Sequence, residues 1–341
     1  MAYRLKIGET PQQALRRIAL EQIERASLAL SAANGTGNPI HETRKCLKRI
    51  RALLRLMRPG LDDTIFCSEN ARFRTIAQLL APTRDTHILL ETILKLEPFA
   101  DDAHTPAIAA LKDHIGHQLL ATATGSANPA GDLARHQLSD ARIAVAKLKL
   151  NSRGFEPIER GLRDSYRRGR HNFEQAYQAG TGKAFHDLRK SVQLHWRHMA
   201  LLSRAWPEMF STRVEAARQL SQILGDSQDL CVLISYIEGV APDVLPHLQA
   251  QQVAQLARQR QQQLRGLAHP RGAQMFALSP KTLSRCVIET WLAATAIEDM
   301  SIETPAAMGP PPPHAKPGER DTAIVTAIRP ATTTKRRRSQ A

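Results

Sequence analysis

Apolar residues recur at three- and four-residue spacing along nearly every long segment, and period-two alternation is scarce, so the pattern predicts an all-α protein. Thr10-Pro11-Gln12-Gln13 is a capping box with proline at the first helical position, and it opens a helix over 11–30. After a turn at 34–39, Asn38 caps and Pro39 starts a second helix, which Pro59-Gly60 stops after Arg58. Further helices are predicted at 68–81, 84–98 and 105–122, and the small, polar residues 123–131 read as a link. Beyond it come a helix over 157–177, a turn at 179–182 and a helix over 184–204. Helices near 211–224, 229–239, 246–267 and 279–298 complete the body.

Two segments of this pattern nearly repeat. His41-Glu42-Thr43-Arg44-Lys45-Cys46-Leu47 matches His186-Asp187-Leu188-Arg189-Lys190-Ser191-Val192, 145 residues later. A second pair follows each, Leu79-Leu80-Ala81-Pro82-Thr83-Arg84-Asp85 and Ile223-Leu224-Gly225-Asp226-Ser227-Gln228-Asp229. The spacing from His41 to Asp85 is 44 and from His186 to Asp229 it is 43. Two signals at a fixed separation predict an internal duplication. What recurs is a histidine and a run of cations, which points to an anion-binding surface built twice.

On a helix over 41–58, His41, Arg44, Lys48, Arg51, Arg55 and Arg58 fall within about 100° of arc. Cys46, Leu47, Ile50, Leu53, Leu54 and Met57 form a separate apolar face, and Lys45 and Arg49 flank the other edge. Like charges four apart cost a few tenths of a kcal/mol each, and cations oppose the dipole at a helix start. Only Glu42 offsets this locally, so an external anion explains the column better than stability does. Over 157–177, Arg160, Arg163, Arg167 and Arg170 fall on one side with Arg168 beside them. Over 184–204, His186, Arg189, Gln193 and Trp196 trace the same arc as the first column, with Lys190 and Arg197 adjacent. His41 and His186 are read into the first helical turn, where either ring could donate to phosphate. His195, on the arc of Leu188, Val192, Met199 and Leu202, reads as a core residue.

Charge supports the same class of partner. The 341 residues carry a net +15 with a pI near 10.2, most of it in residues 1–300, which implies a polyanion. Residues 301–341 change character, to Pro310–Pro313 and then Lys335-Arg336-Arg337-Arg338, and read as a disordered basic tail. Four cysteines without CxxC spacing fit a reducing cytoplasm, and no run of 18 apolar residues predicts a membrane span.

Several chemistries lack their motifs. His41-Glu42 does not begin a zinc-protease HExxH, since the fifth position is Lys45, and His114/His117 and His195/His198 lack a third ligand. No phosphate-binding glycine loop, GxGxxG or GxSxG is present. Asp85 and Asp229 stand at predicted helix starts and read as caps. Neither catalysis nor a cofactor is expected. Aromatics at 4% weaken a single-strand nucleic-acid reading, whereas a plain phosphate chain needs only cations and donors. Nonspecific nucleic-acid binding is the alternative.

The His-acid-x-Arg helix, its repeat and the later Leu-Gly-x-x-x-Asp-Leu-x-Val-Leu segment together resemble the CHAD family, the conserved histidine α-helical domain. The resemblance covers about residues 10–298. The first motif is carried by His41, Glu42, Arg44, Lys48, Arg49 and Arg51, and the second by His186, Arg189, Lys190, Val192, His195 and Trp196. Gln193 and Arg197 depart from the family's Lys and Tyr. Tyr166-Arg167-Arg168-Gly169-Arg170 looks like another family segment. The resemblance implies two pseudo-symmetric four-helix bundles (about 1–125 and 140–300) around a basic central channel or groove. It further implies binding of inorganic polyphosphate, on polyphosphate granules. The candidate polyphosphate-binding residues are His41, Arg44, Lys45, Lys48, Arg49, Arg51, Arg55, Arg163, Arg167, Arg170, His186, Arg189, Lys190 and Arg197. The triphosphate-tunnel catalytic domain of some relatives, with its E-x-E-x-K strand, has no counterpart motif, so the chain reads as the binding module alone.

Overall fold

The capping box forms as its residues predict. Gln13 Oε1 accepts from the Thr10 backbone N–H at 3.0 Å, and Thr10 Oγ1 accepts from the Gln13 N–H at 3.3 Å, launching α1 (Pro11–Ser31). Asn38 accepts from the His41 N–H at 3.0 Å and starts α2 (Pro39–Met57), which ends in a single 3-10 turn at Arg58–Gly60. The computed structural model describes residues 3–31, 38–80, 85–122, 129–152 and 154–303. Within these follow α3 (Asp63–Leu79), α4 (Asp85–Leu96), α5 (Thr105–Thr122), α6 (Pro129–Ala146), α7 (Glu156–Ala179), α8 (Gly182–Leu202), α9 (Pro207–Glu238), α10 (His247–Met275) and α11 (Pro280–Glu303). Among the described residues there is no strand, and the fold is all-α. The Pro82-Thr83-Arg84 segment, most of the expected link at 123–131 and the expected tail from residue 304 lie outside the described residues.

Core membership does not follow chain order. One buried cluster unites α1, α2, α3 and α6 with α7, α8, the first half of α9, the later part of α10 and α11, around Leu15, Leu47, Phe73, Leu138, Leu162 and Trp291. A second joins α4 and α5 to the later part of α9 and the earlier part of α10, around Ile93, Leu111, Leu233 and Val253. Helices α2 and α7 meet backbone to backbone: a Cβ on Gly161 would lie 1.9 Å from the Leu56 carbonyl oxygen. That contact brings the end of α2 up to Arg160 and Arg168.

Three elements differ from the sequence reading. Residues 129–146 form a helix, because Ala134, Leu138, Ala141 and Val145 bury one face while α6 packs on α1 and α3. The breaks expected at 224–229 and near 267 are absent. A mid-helix glycine costs about 1 kcal/mol, whereas each buried leucine returns about 1.5–3 kcal/mol. Leu220, Leu224, Leu230 and Leu233, all buried, therefore carry α9 through Gly225. Helix α10 continues through Pro270 to a close packing of Gly272 on Phe173.

Candidate functional site

Four successive turns of α2 present Arg44, Lys48, Arg51 and Arg55 to one cavity of about 700 Å³. The column stands away from the apolar face, where Cys46, Leu47, Ile50, Leu53, Leu54 and Met57 are buried as the period requires. Opposite them α8 supplies His186, Arg189, Lys190, Gln193 and Arg197, with Arg74 from α3 and Asp229 from α9. Among the described residues, eight Lys and Arg thus line the cavity against one carboxylate. A second cavity of about 530 Å³ shares Arg55 and Leu194 with the first and adds Arg58, Arg160 and Arg168, with Asp63, Asn70, Asp164 and Ser165.

Each cation is held in its own way. Arg44 Nη1 donates to the Ala77 and Leu80 carbonyls at 3.4 and 3.1 Å, at the C-terminal end of α3 where a cation also meets the helix dipole. Arg51 Nε donates to Asn70 Oδ1 at 3.1 Å. Arg189 lies along α9 over Gly225, where a Cβ would sit 3.1 Å from its Nη2, and its Nη1 is 3.9 Å from Asp229. The Arg197 guanidinium stacks 4.4 Å above the Trp196 ring, with Arg218 also over that ring at 5.1 Å.

Crowding and burial depress these groups. Burial lowers Arg55 to about 10, and Arg51 and Arg168 push the same way. Burial lowers Arg197 to about 10 against a raising effect of Tyr3, with Arg49 lowering it further. Burial, then the Arg74 charge, lowers Arg51. His186 is also lowered, first by burial and then by Lys190, and its buried Nδ1 has no hydrogen-bond partner. Cations gathered this way repel one another in a medium less polar than water, and an anion in the cavity would relieve that repulsion.

The remaining candidates from the sequence lie elsewhere. His41 is exposed and lines neither cavity. It is the third residue of α2, whereas α8 begins four residues before His186, which therefore sits in the second turn and not the first. Lys45 pairs with Glu42 at 3.1 Å, and Arg49 donates to Gln22 at 3.2 Å beneath Tyr3, so both turn towards α1. Arg167 pairs with Asp164 at 2.8 Å, and Arg170 donates to the Leu278 carbonyl at 2.9 Å. Arg163, half-buried on α7, lines neither cavity. Asp229 is not a cap: α9 runs unbroken through it, and its carboxylate faces Arg189. Asp85 does open α4.

Sequence reasoning did not single out Arg74 and Asn70, four apart on α3 and hence on one face, a spacing that could have marked them. His195 is the core residue its arc predicts, buried against Tyr166 with centroids 5.5 Å apart. His198 is buried too, donating from Nε2 to the Ala52 carbonyl at 3.0 Å, with Nδ1 3.2 Å from Ser165 Oγ. Among the described residues, no three His, Cys, Asp or Glu side chains gather as a metal site would require, and no helix is long and apolar enough to cross a membrane.

Residues 15–238 match the CHAD domain, about two thirds of the chain. The chain belongs to the CHAD family. The match runs from within α1 to the end of α9, shorter than the 10–298 over which the motifs suggested it. Every residue lining the two cavities lies inside the CHAD match. No curated protein matches the chain.

Proposed function

We propose that this CHAD protein binds inorganic polyphosphate in the cavity between α2 and α8 and does not turn it over. The observation that carries the reading is the lining, among the described residues eight Lys and Arg against one carboxylate. Such a surface suits a repeating anion without bases or sugars. Each phosphate offers oxygens to guanidinium and ammonium donors, and no stacking platform is needed. The family's association with polyphosphate supports the same ligand. Retention on polyphosphate granules follows as part of this proposal, because a chain held at several cations dissociates slowly.

Competition tests it. At near-physiological salt, long-chain polyphosphate is expected to displace labelled polyphosphate at far lower phosphate concentration than duplex DNA or RNA does. Equal displacement would reduce the cavity to a general electrostatic surface. Affinity is also expected to fall steeply with salt, since each neutralised phosphate releases condensed counterion. Phosphate released from the polymer in proportion to protein, with Mg²⁺ or Mn²⁺ added, would overturn the non-catalytic part of the reading.

A further inference from the structure

The two basic cavities are neighbours that share two lining residues. Arg55 and Leu194 line both, so the cavities adjoin at these two residues, and of the pair only Arg55 carries charge. Arg51 stands on one side of this joint and Arg168 on the other. Both lie close enough to Arg55 to disfavour its charge. Arg51 has Asn70 as a neutral partner, and none of the three makes an ion pair among the described residues. Elsewhere in the second cavity acids do meet the cations: Arg58 pairs with Asp63 at 3.2 Å, and Arg160 with Glu156 at 3.2 Å. Within the second cavity, the cations that no acid meets among the described residues are therefore Arg55 and Arg168, at and beside the joint.

We propose that one polyphosphate strand passes from the first cavity into the second over Arg55, with Arg168 as a contact that only a long chain reaches. This rests on the polyphosphate reading and deepens it by assigning a chain-length preference. A short oligomer fills the first cavity among Arg44, Lys48 and Arg189. A longer strand continues past Arg55 and places phosphates between Arg55 and Arg168, lifting a repulsion that the short ligand leaves in place. Arg168 is exposed and its substitution removes no hydrogen bond that holds α7, so the variant keeps the fold.

The test compares Arg168→Gln with the wild-type full chain, using long-chain polyphosphate and tripolyphosphate as ligands. Arg142→Gln, on the exposed face of α6 away from both cavities, controls for loss of one charge. We expect Arg168→Gln to weaken the long chain about five-fold, the scale of one partly exposed charged contact, and to leave tripolyphosphate unchanged. Arg142→Gln is expected to move neither. Equal loss on both ligands, loss on neither, or the same loss from Arg142→Gln overturns the proposal. Wild-type protein that does not prefer polyphosphate to duplex DNA brings down the parent reading and this one together, and that failure is visible before any substitution is made.

Discussion

Helices α2 and α8 carry nearly the same motif, yet they use it differently. Arg44 donates to carbonyls at the end of α3, where that helix stops at Leu79. Its counterpart Arg189 meets an unbroken α9, which offers no free carbonyls, and lies over Gly225 towards Asp229. The core faces differ as well. Where α2 buries Ile50 and Leu53, α8 in the same register buries His195 and His198. A shared motif thus fixes where a cation starts. The neighbouring helix decides whether that cation stabilises the fold or remains available to a ligand.

Acid probes the core contrast most strongly. Burial holds His195 down at about 3 and His198 at about 4, against 6.5 for a free imidazole. The unfolded chain takes up protons below 6.5 that the fold refuses, so this stability is full above 6.5 and is lost as pH falls towards 3. Tm is expected to be roughly 5–10 °C lower at pH 5 than at pH 7. A flat profile would break the contrast. Next in size is charge reversal. Arg189→Glu is expected to cost about 100-fold in polyphosphate affinity at constant Tm. Arg44→Glu loses similar affinity and also lowers Tm by several degrees, because a carboxylate then faces the α3 carbonyls. Equal Tm values for the two variants would show that both arginines stand in equivalent settings.

Part of this was legible in the sequence. The capping residues at Thr10 and Asn38, the apolar face of α2 and its cation column are local, and they read correctly from spacing alone. What escaped depends on neighbours. The α7 arginines share an arc, but Asp164 takes Arg167 and the Leu278 carbonyl takes Arg170, partners no helical wheel displays. The continuity of α9 depended on leucines outweighing one glycine. Helix α6 was hidden by a different cause: its buried positions were periodic, but the small residues before it read as a link.

Two smaller effects sharpen the comparison. Asp229→Asn removes a carboxylate from the cavity lining and is expected to raise polyphosphate affinity about five-fold, the scale of one partly exposed charge pair. A fall instead would mean that Asp229 chiefly orients Arg189. Smallest is the histidine pair. His186, lowered in the free protein, gains a proton when an anion arrives, so binding tightens as pH falls from 7.5 to 6, by about two- to three-fold. His186→Ala is expected to remove that trend and His41→Ala to keep it, as titrations at the two pH values would show.

Helices α9 and α10 each pass through both buried clusters without a break. Neither core can melt without stripping cover from a helix the other core uses, so amide protons in mid-α9 are expected to exchange only through global opening. Asp229 lies where α9 leaves one core for the other, on the wall of the cation-lined cavity. An occupant there grips the passage between the cores, so its protection against exchange spreads through the whole helical body and not through one bundle alone.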